Sequence, residues 1–252
     1  MFCQLQNIAQ RNQEAFILLI QWIILNMANA GMSKHETKSE IAKTSRLRNT
    51  LHFPVFSKLP WDNTPSFEYY ALKNCILTPN RHWCFIGEVH AKPLLLLRQS
   101  VWVRDLEGND NIHVAFYPET GTFDYSDLKV GNTLCVRYAE RHHFLDFTAG
   151  LRLEQLDFVM VIPTSLKTLL EISDFSPEAN NTYCWICGIS KSEKKLLKCG
   201  KCNVAKYCSK DCQISDWKRR HNEWCQAIPG YKKLVDIDSD VTENNFDYKA
   251  FR

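Results

Sequence analysis

The sequence predicts an α+β fold: a small β-rich domain followed by a cysteine-rich finger with short helices. Three observations predict it. Residues 67–175 carry short apolar runs divided by turn-forming stretches. Seven of the 11 cysteines fall between Cys184 and Cys225. The segments flanking these two regions are polar, proline-containing or acidic. A chain of 252 residues holds one large domain or two small ones. With 45% hydrophobic and 23% charged residues, wholesale disorder is excluded. The net charge of +3 excludes a chain that is strongly basic or acidic throughout, but not a local patch.

The first element is residues 1–31. The run Ala15–Ala28 reads AFILLIQWIILNMA, broken by Gln21 and Asn26. It falls short of the roughly 20 apolar residues a spanning helix needs. Arg11 before it and Ala28-Asn29-Ala30 after it fit a secretory signal. Glu14 and the clustered thiols oppose an oxidising route. A signal, an anchor touching membrane through residues 15–28, and an inessential extension all stay open. Residues 32–66 read as a linker or arm, with Pro54, Pro60 and Pro65. Phe53, Val55, Phe56 and Trp61 are available there to dock on a folded surface.

Residues 67–175 form the β-rich domain. Its apolar runs are Cys84–His90, Ser100–Leu106, Ile112–Tyr117, Thr133–Glu140 and Leu151–Ile162. Leu134, Val136 and Tyr138 alternate with Cys135, Arg137 and Ala139, and Leu151 and Leu153 with Arg152 and Glu154. Five strands at this spacing predict a small antiparallel sheet or barrel. A short helix within Phe123–Val130 would separate the third and fourth. That order resembles an oligonucleotide/oligosaccharide-binding (OB) barrel, in topology alone, since no residue motif accompanies it. Leu166, Leu169, Leu170 and Ile172 sit at helical spacing in Thr164–Phe175. Residues 176–181 read as a linker. The tail, residues 229–252, carries Asp236, Asp238, Asp240, Glu243 and Asp247 and is expected to be solvated.

Residues 180–228 hold the strongest signal. The order is Cys184-x2-Cys187, eleven residues, Cys199-x2-Cys202, five, Cys208-x3-Cys212, eight, His221-x3-Cys225. Eight ligands in four pairs suit two tetrahedral Zn2+ ions. Two intervening residues make a tight knuckle that aims both sulfurs at one ion. Three place the ligands at i and i+4 on one helix face. Ser209 and Ser215 are expected to cap the helices carrying Cys212 and His221. Gly188 and Gly200 each follow a cysteine, where a knuckle favours a residue without a Cβ. Four protein ligands per ion leave no open position, so the zinc is expected to be structural and not to activate water. With little apolar sequence of its own, the finger must draw its fold from metal. Spacing alone leaves sequential and interleaved pairing open.

This segment resembles the MYND-type zinc finger. The resemblance rests on the ligand pattern together with Tyr207-Cys208-Ser209, Cys212-Gln213 and Asp216-Trp217 ahead of His221. The gap from Trp217 to His221 is one residue longer than in some relatives. The resemblance implies a cross-brace: Cys184, Cys187, Cys208 and Cys212 on one zinc, Cys199, Cys202, His221 and Cys225 on the other. It also implies a protein-interaction module that takes short proline-containing peptides in extended form, with Gln213 and Trp217 lining the groove. Packing of Trp217 between the zinc lobes is its structural alternative, and Trp185 and Trp224 read as exposed aromatics.

The second functional reading is a nucleic-acid-binding adaptor. Ten Lys or Arg against four Asp or Glu lie between Cys184 and Cys225. Trp102, Phe116, Tyr117 or Tyr138 would supply stacking. His142-His143 near Asp146 reads as a solvated turn, because adjacent strand residues face opposite ways. No phosphate loop, dinucleotide fingerprint, metalloprotease motif or nucleophile elbow occurs, so no enzyme activity is expected. The expected compartment is cytoplasm or nucleus, or a secretory or membrane site if residues 1–30 are a signal.

Overall fold

The computed structural model describes residues 46–251 apart from 65, 74, 93–97, 119–122, 176–182, 191–195, 236–245, 247 and 249. The N-terminal segment 1–31, the linker and the acidic residues of the tail therefore lie outside the described residues. Residues 44–252 make one compact unit. No helix among the described residues is long and apolar enough to cross a membrane.

The arm docks as its aromatics lead one to expect. Phe53, Val55 and Phe56 are buried. The His52 carbonyl accepts from Cys84 N at 2.8 Å, and Asp105 Oδ2 accepts from Phe56 N at 3.0 Å. A two-stranded hairpin follows, β1 (Tyr70–Lys73) with β2 (Ile76–Pro79).

The main sheet has seven strands: β3 (Cys84–Ala91), β4 (Ser100–Arg104), β5 (Ile112–Phe116), β6 (Thr133–Arg137), β7 (His142–His143), β8 (Ala149–Leu153) and β9 (Val159–Ile162). They pair in the order β7-β8-β5-β4-β3-β6-β9. The closed OB-like barrel is not confirmed: the sheet is open, with β7 and β9 outermost. Nor is it wholly antiparallel, since β8 runs parallel to β5. The cause is a break in the run expected as one strand, Leu151–Ile162. A 3-10 turn at Leu156–Phe158 splits it and sends its halves to opposite sides, β8 beside β5 and β9 beside β6. The helix expected within Phe123–Val130 is a single 3-10 turn, Tyr125–Asp127, capped by Asp124, whose side chain accepts from Ser126 N.

Alternation places Phe85, Val89, Leu134, Val136 and Leu151 in one apolar core and Cys84, Ile86 and Cys135 in another. The alternation fails at one point. Tyr138 stands at φ 56°, outside the strand region, so Ala139 joins the core of Leu134 and Val136 and not the opposite face.

Helix α1 (Leu166–Phe175) fits the expected spacing, with Leu166, Leu169 and Ile172 buried. Ser165 Oγ accepts from Thr168 N at 3.1 Å, and Glu88 Oε2 accepts from Leu166 N at 2.9 Å, so two otherwise unpaired amides of the first turn are satisfied.

The acidic residues expected to be solvated lie outside the described residues, while the described aromatics of the tail lie against the sheet. Phe246 and Tyr248 lie 5.7 and 4.9 Å from the Tyr138 ring. Arg137 stacks 4.0 Å above Phe251 and donates to the carbonyls of Ala250 (3.3 Å) and Lys233 (2.7 Å). These ring contacts hold the described aromatics of the tail against the sheet, with Tyr248 still 52% exposed.

Candidate metal centre

The finger is built from two knuckles, a ribbon and a helical segment. β10 (Leu197–Lys198) pairs with β11 (Lys206–Tyr207). Helix α2 (Lys210–Asp216) continues into one π-helical turn, Trp217–His221, then Asn222–Trp224, and α3 (Ile228–Val235) closes the finger.

Each knuckle uses the same local physics. Gly188 N donates to the Cys184 carbonyl and Asn203 N to the Cys199 carbonyl, both at 2.9 Å. The chain then turns left-handed after the second cysteine, at Gly188 (φ 69°) and Asn203 (φ 57°). Gly200 is therefore not the counterpart of Gly188. Asparagine tolerates the left-handed region well enough to do the task. Burial pushes the Cys184 thiol up, but the amides of Cys187 and Ile186 point at its sulfur and bring it down to about 6. Cys199 is likewise lowered despite burial, by the amides of Cys202 and Lys201. The first cysteine of each knuckle is thus favoured as a thiolate, the form that binds metal, whereas Cys187 and Cys202 are raised.

Ser209 caps α2 as expected, its hydroxyl accepting from Cys212 N at 3.2 Å. Ser215 caps nothing; it lies inside α2 because the chain stays helical to Trp224. The π turn absorbs the extra residue between Trp217 and His221 without ending the helix.

The ligands gather into two sets, Cys184, Cys187, Cys208 and Cys212, and Cys199, Cys202, His221 and Cys225, with all donor atoms of a set within 4.8 Å of one another. Pairing is therefore interleaved. Tetrahedral zinc with bonds of about 2.3 Å to sulfur sets neighbouring sulfurs near 3.8 Å. The observed separations are Cys187–Cys208 3.5 Å, Cys208–Cys212 3.5 Å, Cys199–Cys225 3.9 Å, and Cys202 Sγ to His221 Nε2 3.7 Å. Donor chemistry and spacing both fit two zinc ions. Bound there, the ions would tie together knuckle, ribbon and helical segments that also pack into one apolar core.

The second set is buried throughout, whereas Cys187 of the first is exposed. Around the second set lies a network that sequence reasoning missed. Asp216, fully buried, accepts from Tyr207 Oη at 2.8 Å and Arg220 Nε at 3.0 Å. Arg220 also donates to the Trp185 carbonyl and sits 3.3 Å over the Phe175 ring of α1. Trp185 and Trp224, expected exposed, are buried, their rings 5.8 and 5.5 Å from Phe175. The i,i+4 spacing of Asp216 and Arg220 was the available signal. On α3, a Cβ at Gly230 would meet Ile162 of β9 at 3.0 Å. Finger, α1 and sheet thus share one apolar core.

Gln213 is half-buried on α2. Trp217, one turn later, is 42% exposed, its ring 5.8 Å from His221. Of the sheet candidates for stacking, Phe116 is buried. Trp102 packs 5.0 Å from His113, and Tyr117 lies beneath Arg98 and Arg152. His142 and His143 form strand β7, His142 pairing with Asp62 and His143 stacking on Trp61, and so are not the solvated turn expected.

Residues 184–225 match the MYND finger family. Protein CBFA2T2 of Mus musculus is 39% identical over 54 residues, which is 21% of this chain and 8% of that protein. Ubiquitin carboxyl-terminal hydrolase 17 of Arabidopsis thaliana is 38% identical over 57 residues, 21% of this chain and 8% of that protein. Histone-lysine N-methyltransferase SMYD1 of Homo sapiens is 41% identical over 54 residues, 21% and 10% respectively. The chain thus spans no more than a tenth of the length of these relatives. Their names describe unlike activities, so what is shared is the finger. Residues 184–225 are a MYND-type zinc finger, a zinc-binding protein-interaction module.

Proposed function

We propose that this protein is an adaptor whose finger takes short proline-containing peptides in extended form, along a groove lined by Gln213 and Trp217. The observation that carries the reading is Trp217. It is a large aromatic, 42% exposed, on the helical segment that carries Cys212 and His221. Ile214, also exposed, lies three residues before it on the same helical face. An exposed aromatic beside an exposed aliphatic side chain on a metal-stiffened surface suits a binding hot spot. The short ribbon β10–β11 adds a place where an extended peptide can pair its backbone.

In this proposal the protein is not an enzyme, because each zinc has four protein ligands and no position for substrate. A reducing compartment, cytoplasm or nucleus, suits its free thiols. The test is titration of a proline-containing peptide against the wild type and Trp217→Ala. The expected loss is about 2 kcal/mol or more, with two zincs retained. A nucleic-acid adaptor would instead bind oligonucleotides with steep salt dependence and depend on Lys218, Arg219 and Arg220. If Trp217→Ala keeps zinc, fold and full peptide affinity, the groove is abandoned.

A further inference from the structure

The β7–β8 hairpin carries a surface that neither the sheet nor the finger uses. Its tip, Phe144–Thr148, reads FLDFT. Phe144 is tucked down, 5.1 Å from the His113 ring and 5.0 Å from that of His142. It lies over Gly150, where a Cβ would meet Phe144 Cε2 at 2.7 Å and the His113 carbonyl oxygen at 2.2 Å. Leu145 and Phe147 do the opposite: they are 103% and 93% exposed.

This exposure is built into a hydrogen-bonded turn. Phe144 N donates to the Thr148 carbonyl at 2.9 Å, and Phe147 N to the Phe144 carbonyl at 3.0 Å. Asp146 Oδ1 accepts from Thr148 N at 3.0 Å and from Thr148 Oγ1 at 2.6 Å, which holds its carboxyl below the ordinary carboxylate value. Phe147 sits at φ 64°, a conformation that is an outlier for a bulky side chain and ordinary for glycine or asparagine. A hairpin tip is satisfied by small polar residues. Here two large apolar side chains are held in solvent, one on a strained backbone. Strain of this kind collects where a surface has a task.

The charge pattern selects the kind of partner. An ionised carboxylate stands between the two prongs, and residues 142–151 contain no Lys or Arg. An anionic lipid surface is recognised by basic clusters and would repel this tip. A protein pocket with an apolar floor and a cationic rim complements it. We propose that the Phe144–Thr148 tip is a second interaction site, which inserts Leu145 and Phe147 into an apolar pocket of a partner protein whose basic rim meets Asp146.

The test uses the full chain with a photo-reactive benzoylphenylalanine at position 145. A protein crosslinked in cell extract is identified, purified and titrated against the wild type and variants. Leu145→Ser/Phe147→Ser should weaken it roughly 30-fold or more, the range of a hot spot. Asp146→Asn should weaken it less and flatten its salt dependence. Trp217→Ala should leave it unchanged, which separates this site from the finger. Phe147→Gly should raise the melting temperature while losing affinity; a lower melting temperature would assign Phe147 to the fold and overturn the proposal. So would equal affinity for the double serine variant, or the absence of any crosslinked protein that binds when purified. Binding of the wild type alone to phosphatidylcholine–phosphatidylserine vesicles would assign the tip to lipid. Self-association lost in the double variant would assign it to a second copy.

Discussion

Cys187 stands at the surface, Cys208 and Cys212 are half-covered, and every ligand of the other cluster is buried. Donor chemistry is nearly the same in both, so the difference lies in what surrounds them. The first cluster lies nearer the surface, with Cys184 buried in the shared core and Cys208 and Cys212 packed at its edge. The second is enclosed by Trp185, Tyr207 and Trp224, and through Arg220 it reaches Phe175 of the sheet's own helix. Metal therefore does two separate jobs in one finger. The outer zinc fixes local geometry, and the inner zinc holds up part of a core that continues into the sheet.

The largest expected effect tests that division directly. A structural zinc supplies about 10–16 kcal/mol to a small module. Cys225→Ser should lose the inner zinc, unfold the finger and lower the melting temperature of the sheet, followed by zinc content and circular dichroism. A sheet that melts unchanged would break the comparison. Cys187→Ser should lose only the outer zinc. Fluorescence of the buried Trp224 should stay native, because its partners Phe175 and Arg220 belong to the other side, while that of Trp185, inside the mutated knuckle, should change. In the wild type, a chelator should remove the two zincs in two phases, the outer first.

Arg220→Ala comes next. It removes no ligand, yet it leaves the buried Asp216 carboxylate with Tyr207 alone. Breaking a buried pair costs about 3 kcal/mol or more, read as a shift in the denaturation midpoint. The variant should also release the inner zinc faster and leave the outer rate unchanged.

The smallest effect is a control away from both zincs. Burial raises the Glu140 carboxyl above its ordinary 4.5; Tyr70, whose hydroxyl bonds to it, opposes this rise, and Asp62 reinforces it. Because the folded value is raised, the stabilisation is present at low pH and lost as pH rises through the folded value. Glu140→Gln keeps an acceptor for Tyr70. It should be more stable than the wild type at neutral pH, with the difference vanishing below pH 4.5, and neither zinc release rate should move. A change in either rate would show that the clusters are not separately housed.

The parts legible in the sequence are those where chemistry fixes residue type and spacing. Zinc demands cysteine and histidine in matched pairs, so all eight ligands could be named. Alternation exposed the runs that became β3 to β6, and Ser209 announced its cap. What stayed hidden depends on partners remote in sequence. Trp185 and Trp224 read as surface aromatics because their cover, Phe175, comes from another element. The parallel β5–β8 pair follows from a break at Leu156–Phe158 that carries no glycine or proline to mark it. Asn203 in the place offered to Gly200 is a subtler miss, since both residue types accept a left-handed turn. The aromatics of the tail were masked by the acidic residues around them.

Interleaved pairing has a consequence for biosynthesis. As the chain leaves the ribosome, Cys184, Cys187, Cys199 and Cys202 emerge together, a four-thiolate set available before either native site has its second pair. A zinc captured there is bound in the sequential arrangement, which must be undone by ligand exchange when Cys208 and Cys212 follow. The inner site waits longer, until Cys225 is clear, about 1–3 s after Cys212 at typical synthesis rates. During that interval the surface of α1 that will receive Trp185 and Trp224 is uncovered. Free zinc concentration therefore sets a kinetic hazard as well as an equilibrium occupancy, and nascent chains are most exposed to misassembly where zinc is abundant before the last ligand has been made.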